Sequence, residues 1–132
     1  MRFRFERQAQ LAVRITWGHG RYLDPWAFVH LLTGLLFGIV GLWLGLSLWA
    51  VLLATTILTA LYELVEMALG IIEDWQNAFL DVIIAVAGAW AAYVYLDTVA
   101  TSTQIIVFVA TGALSLVLLY AGWRRYLRRR IR

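Results

Sequence analysis

The chain has 132 residues, of which 63% are hydrophobic and only 14% charged, with a mean hydropathy of +0.79. One domain's length at that apolar fraction excludes an ordinary soluble globular domain and points to an integral membrane protein. The absence of cysteine removes disulfides, thiol nucleophiles and cysteine-ligated metals, and the formal charge of +3 rests on arginine alone, without a single lysine.

The arginines lie only at the two ends of the chain: Arg2, Arg4, Arg7, Arg14 and Arg21, then Arg124, Arg125, Arg128, Arg129, Arg130 and Arg132. No nucleic-acid recognition motif accompanies them, so nucleic acid is not an expected partner. Basic residues flanking apolar runs suit anionic headgroups and fix topology, which makes membrane lipids the expected partners of the terminal arginines.

Residues 1–23 form a basic segment. Arg7, Arg14 and Arg21 recur seven apart, with Phe5, Leu11, Ala12 and Ile15 available for an apolar face, and this spacing predicts an interfacial amphipathic helix. The alternation of Leu11, Val13, Ile15 and Trp17 fits a short strand as well.

Four apolar runs follow within residues 24–132, at 26–45, 48–69, 77–96 and 104–123, each near the roughly 20 residues that a helix needs to cross a bilayer. The expected fold is all-α, an integral membrane four-helix bundle. The first run lies too far from the N-terminus, and is followed too soon by another, to read as a cleaved signal peptide. Arginine-rich ends and an even number of spans place both termini in the cytoplasm of a bacterial-type inner (plasma) membrane. The loop at 70–76 then faces inward, and the connections at 45–48 and 97–103 face outward.

Asp24-Pro25 reads as an N-cap followed by proline in the first helical turn, and Gly70 as a stop for the second helix. Trp26, Trp43, Trp49, Trp75, Tyr95, Trp123 and Tyr126 fall near span ends, where aromatic rings anchor in the headgroup zone. The first span carries Gly34, Gly38, Gly41 and Gly45, and the third carries Ala85, Gly88, Ala89 and Ala92. Such stripes let helix backbones approach closely, within one bundle or across a homodimer seam. The fourth span offers Thr111 and Ser115 as its only buried polar candidates and is expected to brace the bundle.

Five of the eight acidic residues fall within residues 62–81. His30, Glu66 and Asp81 each lie about four residues from the inner end of a span, roughly 6 Å deep at the helical rise. Glu63 and Glu66 share a helix face, as do His30 and Thr33, and Asp74, Asn77 and Asp81. An ionised carboxylate costs about 2.5–3.5 kcal/mol at the centre of a spanning helix and less near its end, so a compensating partner is expected.

His30, Glu63, Glu66 and Asp81 are suitable ligands for a divalent metal ion such as Mn²⁺, Fe²⁺, Zn²⁺ or Mg²⁺, with Asp24, Thr33, Asp74 and Asn77 at the rim or in support. The same pocket suits a cationic headgroup or amine, with His30 and a glutamate exchanging protons. A purely structural network, with neutral glutamates or with Arg14 or Arg21 folded over them, is the third option. Asp74 is also the natural N-cap of the third helix, and Glu73 a solvated loop charge. The E-x-x-H pairing of helical di-iron bundles is absent, no Ser-His-Asp order or phosphate loop is evident, and Gly34-x-x-x-Gly38 within an apolar span is a packing motif.

Asp24-Pro-Trp-Ala-Phe-Val-His30-Leu-Leu-Thr-Gly34, Glu63-Leu-Val-Glu66, and Asp74-Trp-Gln-Asn77-Ala-Phe-Leu-Asp81 with Gly88 together resemble the VanZ-like membrane proteins and the related YjdF-type group. The resemblance covers roughly residues 24–88; Pro25 stands where a basic residue is common, and Ala85 where an asparagine is. It implies a compact bundle of few spans with its polar site at these positions, in a family linked to glycopeptide-antibiotic tolerance through one member. Three function classes stay open. One is a metal- or headgroup-binding protein, enzymatic or not, working on envelope lipid or a lipid-linked precursor. Another is a small dimeric cation or amine transporter with a proton-coupled glutamate, and the last is a structural or partner-stabilising subunit.

Overall fold

A computed structural model describes residues 12–17, 22–69 and 74–130, the last five by their backbone alone. It contains four helices, α1 (Pro25–Trp43), α2 (Leu48–Ala68), α3 (Trp75–Leu96) and α4 (Thr101–Arg130). Each is long and apolar enough to cross a membrane, and together they form the expected four-helix bundle.

The helix starts follow from local chemistry. Asp24 Oδ1 accepts the Trp26 amide at 2.8 Å while Pro25 supplies a helical φ without needing a donor, so α1 begins where the Asp-Pro pair predicts. Ser47 caps α2, its hydroxyl oxygen accepting from the Ala50 amide at 3.3 Å. The end of α1 departs from the expectation. Gly45 has φ +64°, the left-handed region, and its amide donates to the Leu42 carbonyl at 3.0 Å while the Leu46 amide donates to the Gly41 carbonyl at 3.0 Å. These two bonds are a Schellman cap, which satisfies carbonyls that the helix leaves open. A side chain at Gly45 would meet nothing within 4 Å, so Gly45 is a cap and not the fourth packing glycine.

The N-terminal amphipathic helix does not include residues 12–17, which are not helical. Val13 instead bridges Leu23, with the Arg14 amide on the Leu23 carbonyl at 2.9 Å and the Tyr22 amide on the Ala12 carbonyl at 3.0 Å. The branched side chains of Val13, Ile15 and Thr16 favour such an extended path. Phe5, Arg7, Leu11, Arg21, Gly70 and Glu73 lie outside the described residues.

α1 is the central helix, packing most intimately on α3 and also on α2 and α4. The α1–α3 seam is nearly backbone on backbone. A methyl group at Gly34 would collide with the Ala85 carbonyl, one at Gly38 would lie 2.5 Å from the Ala89 carbonyl oxygen, and one at Gly88 would meet the Leu31 carbonyl. Across from these glycines, Ala85 and Ala89 are fully buried. Gly41 does the same service against the Val51 side chain of α2. The small-residue stripes thus pack within one chain. Apolar side chains gain little by leaving lipid for another helix, so this close van der Waals fit is what holds the spans together.

Two further features escape the sequence reading. Gly122 of α4 lies under the rings of Trp26 and Trp17, which meet edge to face with centroids 5.2 Å apart. Gln104 is buried alongside Thr111, whereas Ser115 is only half-buried. The Gln104 amide nitrogen donates to the carbonyls of Leu96 at 2.8 Å and Val99 at 3.1 Å, and its oxygen accepts from Trp43 Nε1 at 2.8 Å. Gln104 therefore ties α1, the end of α3 and the start of α4 together. At the same end, the Tyr93 hydroxyl donates to the Leu46 carbonyl at 2.8 Å.

Three glycines should respond differently to alanine in thermal or denaturant unfolding of the purified protein. Gly34→Ala forces helix backbones apart and should cost about 3 kcal/mol. Gly45→Ala should cost about 1–2 kcal/mol, because it strains a left-handed cap. Gly112→Ala, where a methyl meets nothing within 4 Å, should be neutral or stabilising by up to about 1 kcal/mol. Equal effects at all three positions would contradict the seam. Separately, Gln104→Leu strands the Trp43 indole N–H and two carbonyls and should destabilise by about 1–3 kcal/mol, measured in the same way.

Candidate functional site

The stripes that hold the helices together run directly into polar residues. On α1 the buried line of Gly41, Gly38 and Gly34 continues to His30; on α3 the line of Ala92, Ala89 and Ala85 continues to Asp81 and Asn77. On α2 the buried residues are Val51, Thr55, Thr59 and Glu63, each four apart. A residue on such a line points at the neighbouring helix whatever its chemistry. Three polar side chains from three helices therefore converge at one level of the bundle.

His30, Glu63 and Asp81 are all buried, at 7%, 4% and 1% exposure. His30 Nε2 lies 3.4 Å from Glu63 Oε1 and 3.8 Å from Asp81 Oδ2, and one ligand atom from each residue falls within 4.8 Å of the others. Ligands about 2.1 Å from a tetrahedral metal ion are spaced about 3.4 Å apart, a separation that His30 and Glu63 match and that the group as a whole exceeds. Imidazole with two carboxylates is also a sound donor set for a divalent ion of the first transition row. Asn77, fully buried, donates from Nδ2 to Asp81 Oδ2 at 3.0 Å. That bond orients the carboxylate as an outer partner orients a metal ligand.

The other candidates fall into distinct places. Glu66 is only half-buried and outside the group of three; its Oε1 accepts from the Tyr62 hydroxyl at 2.6 Å. Three residues advance a helix by about 300°, so Glu66 is turned about 60° from the face that Glu63 shares with Thr59 and Thr55. The interval of four was the signal that separates the two glutamates. Asn77 is fully buried beside Asp81, in a supporting position.

Asp74 is buried at the N-cap position of α3, where its carbonyl accepts the Asn77 and Ala78 amides and its side chain makes no capping bond. Asp24 is the α1 cap, and Thr33 is one turn above His30, its hydroxyl donating to the Val29 carbonyl at 2.9 Å. Tyr62 packs its ring edge to face against His30 with centroids 5.7 Å apart, a contact that helps fix the imidazole plane.

Two carboxylates and an imidazole lie together in a bundle whose surroundings are apolar, where charge is stabilised only by close partners. A dication matches the combined charge of two carboxylates. Three protein ligands would leave a further position on such an ion for water or a substrate oxygen, as in open metal sites. No family model matches the chain, and neither the curated proteins nor the solved structures contain a match to it.

Proposed function

We propose that this chain is a multi-pass membrane protein that binds one divalent cation through His30, Glu63 and Asp81, and uses it on a substrate reaching the site from the membrane. The observation that carries the reading is the convergence of three ligand side chains from three helices, all within 4.8 Å and all buried. Asn77 would orient Asp81, and Tyr62 would hold both the His30 ring and Glu66. A bound dication would supply a Lewis acid for an oxygen of an ester or phosphoryl group. The terminal arginines support a site at the cytoplasmic leaflet of an inner membrane, with both termini inside. The resemblance to VanZ-like proteins supports the same positions, and envelope lipid or a lipid-linked precursor is the substrate class that fits the location.

Metal analysis of purified protein loaded with Mn²⁺ or Zn²⁺ and then desalted tests this. Wild type should retain one equivalent, Glu63→Gln and Asp81→Asn should lose it, and Glu66→Gln should keep it. Saturating metal, at about 100 times its dissociation constant, should also stabilise the wild type against unfolding by about 2.7 kcal/mol. Wild-type retention no greater than that of Glu63→Gln, with no thermal shift, would leave the three residues as a structural network.

A further inference from the structure

α2 and α4 both pack on α1 but not closely on each other, and a cavity of about 280 Å³ remains between them. Short, branched side chains leave this space open: Val29 and Thr33 of α1, and Thr59 of α2. Larger ones bound it, with Trp26 and Phe37 along α1, Leu58 on α2 and Leu119 on α4. Trp26 and Phe37 lie about 16 Å apart at the helical rise, so the cavity is a slot running along α1. Its Trp26 end is backed by the Trp17 ring, the two centroids 5.2 Å apart and both rings over Gly122.

The wall is almost wholly apolar. Its threonine hydroxyls are turned back on their own helices, Thr33 donating to the Val29 carbonyl at 2.9 Å and Thr59 to the Thr55 carbonyl at 2.7 Å. Water does not occupy an apolar cavity, and a void there forfeits dispersion contacts along its whole lining. The position of the opening decides what fills it instead. Leu58 is the eleventh of the 21 residues of α2 and is 49% exposed, so the slot meets its surroundings halfway along a span. At that depth in a bilayer the surroundings are hydrocarbon.

We infer that the slot binds one hydrocarbon chain of a bilayer lipid, admitted sideways between α2 and α4 past Leu58. An engineered apolar cavity of about 150 Å³ takes one benzene ring, and on that scale this one takes about ten carbons of a chain. Spread along α1, that volume holds one chain and not two. The wall favours the chain and is indifferent to the group the chain carries, so the bound class is defined by its tail. The inference goes beyond the cation site and does not require it. His30 lines the slot and also belongs to the group of three, so a chain in the slot lies against the imidazole by a route through the membrane.

The test places the full chain in nanodiscs of phosphatidylcholine whose acyl chains carry a mid-chain diazirine, and maps the adducts by mass spectrometry after irradiation. Val29 and Thr59 are only 8% and 3% exposed, so bulk lipid does not reach them but a chain in the slot does. Both should be labelled alongside the exposed Leu53 and Leu61, while Ile39, fully buried on α1 and outside the slot, should stay unlabelled. Leu119→Trp, which fills the slot from α4, should lower labelling of Val29 and Thr59 to the level of Ile39 and leave Leu53 and Leu61 unchanged. Leu58→Trp, which plugs the opening, should do the same. Wild-type adducts confined to exposed residues such as Leu53 and Leu61 would overturn the inference by themselves. Undiminished labelling of Val29 and Thr59 in either variant, once folded, would overturn it too. Labelling of the two residues in a wild type that retains no Mn²⁺ would sustain this inference and remove the cation site; Mn²⁺ retention without that labelling would do the reverse.

Discussion

The approach of α1 to α3 through Gly34, Gly38 and Gly88 is the contact on which the remaining structure depends. With methyl-sized groups at these positions the helix backbones would stand further apart, and the polar residues one turn below would separate with them. His30 is one turn from Gly34, and Asp81 is one turn from Ala85, the residue that Gly34 touches. The packing seam therefore sets the distance between imidazole and carboxylate. In lipid, where burial of apolar surface gives little preference for one helix arrangement over another, this shape constraint selects the register.

α2 completes the site by a different device. Its buried line of Val51, Thr55, Thr59 and Glu63 is mostly β-branched, and Val51 seats against Gly41 at the far end. The Thr59 hydroxyl donates to the Thr55 carbonyl at 2.7 Å, whereas the buried Thr55 hydroxyl finds no hydrogen-bond partner among the described residues. Glu63 is where α2 presents a carboxylate to His30. The second glutamate of that turn is drawn aside by Tyr62, which leaves an imidazole and two carboxylates at the junction instead of three.

Much of this was legible in the chain. Apolar run length gave the four spans, Asp24-Pro25 gave the start of α1, and the common depth of His30, Glu66 and Asp81, with Glu63 on the turn before Glu66, pointed to the polar cluster, in which the inward glutamate is Glu63. What was not legible depended on partners distant in sequence. Gln104 looks like a span boundary until Trp43 and the end of α3 supply its hydrogen bonds, and Gly122 looks unremarkable until Trp17 and Trp26 cover it. Gly45 continues the glycine spacing of α1, yet the chain leaves the helix one residue earlier and spends that glycine on a left-handed cap. Glu66 shared both depth and approximate face with Glu63, and only the strict interval of four along α2 distinguishes the inward residue.

In the proposed site His30 would reach a cation that carboxylates from two other helices also hold. Electron spin-echo spectroscopy of the Mn²⁺-loaded protein carrying ¹⁵N-histidine and the substitution His19→Gln tests this directly, since His30 is then the sole histidine in the chain. The expected result is hyperfine coupling of the bound Mn²⁺ to a single imidazole nitrogen. Bound Mn²⁺ with no histidine nitrogen coupling would place the ion elsewhere and contradict it.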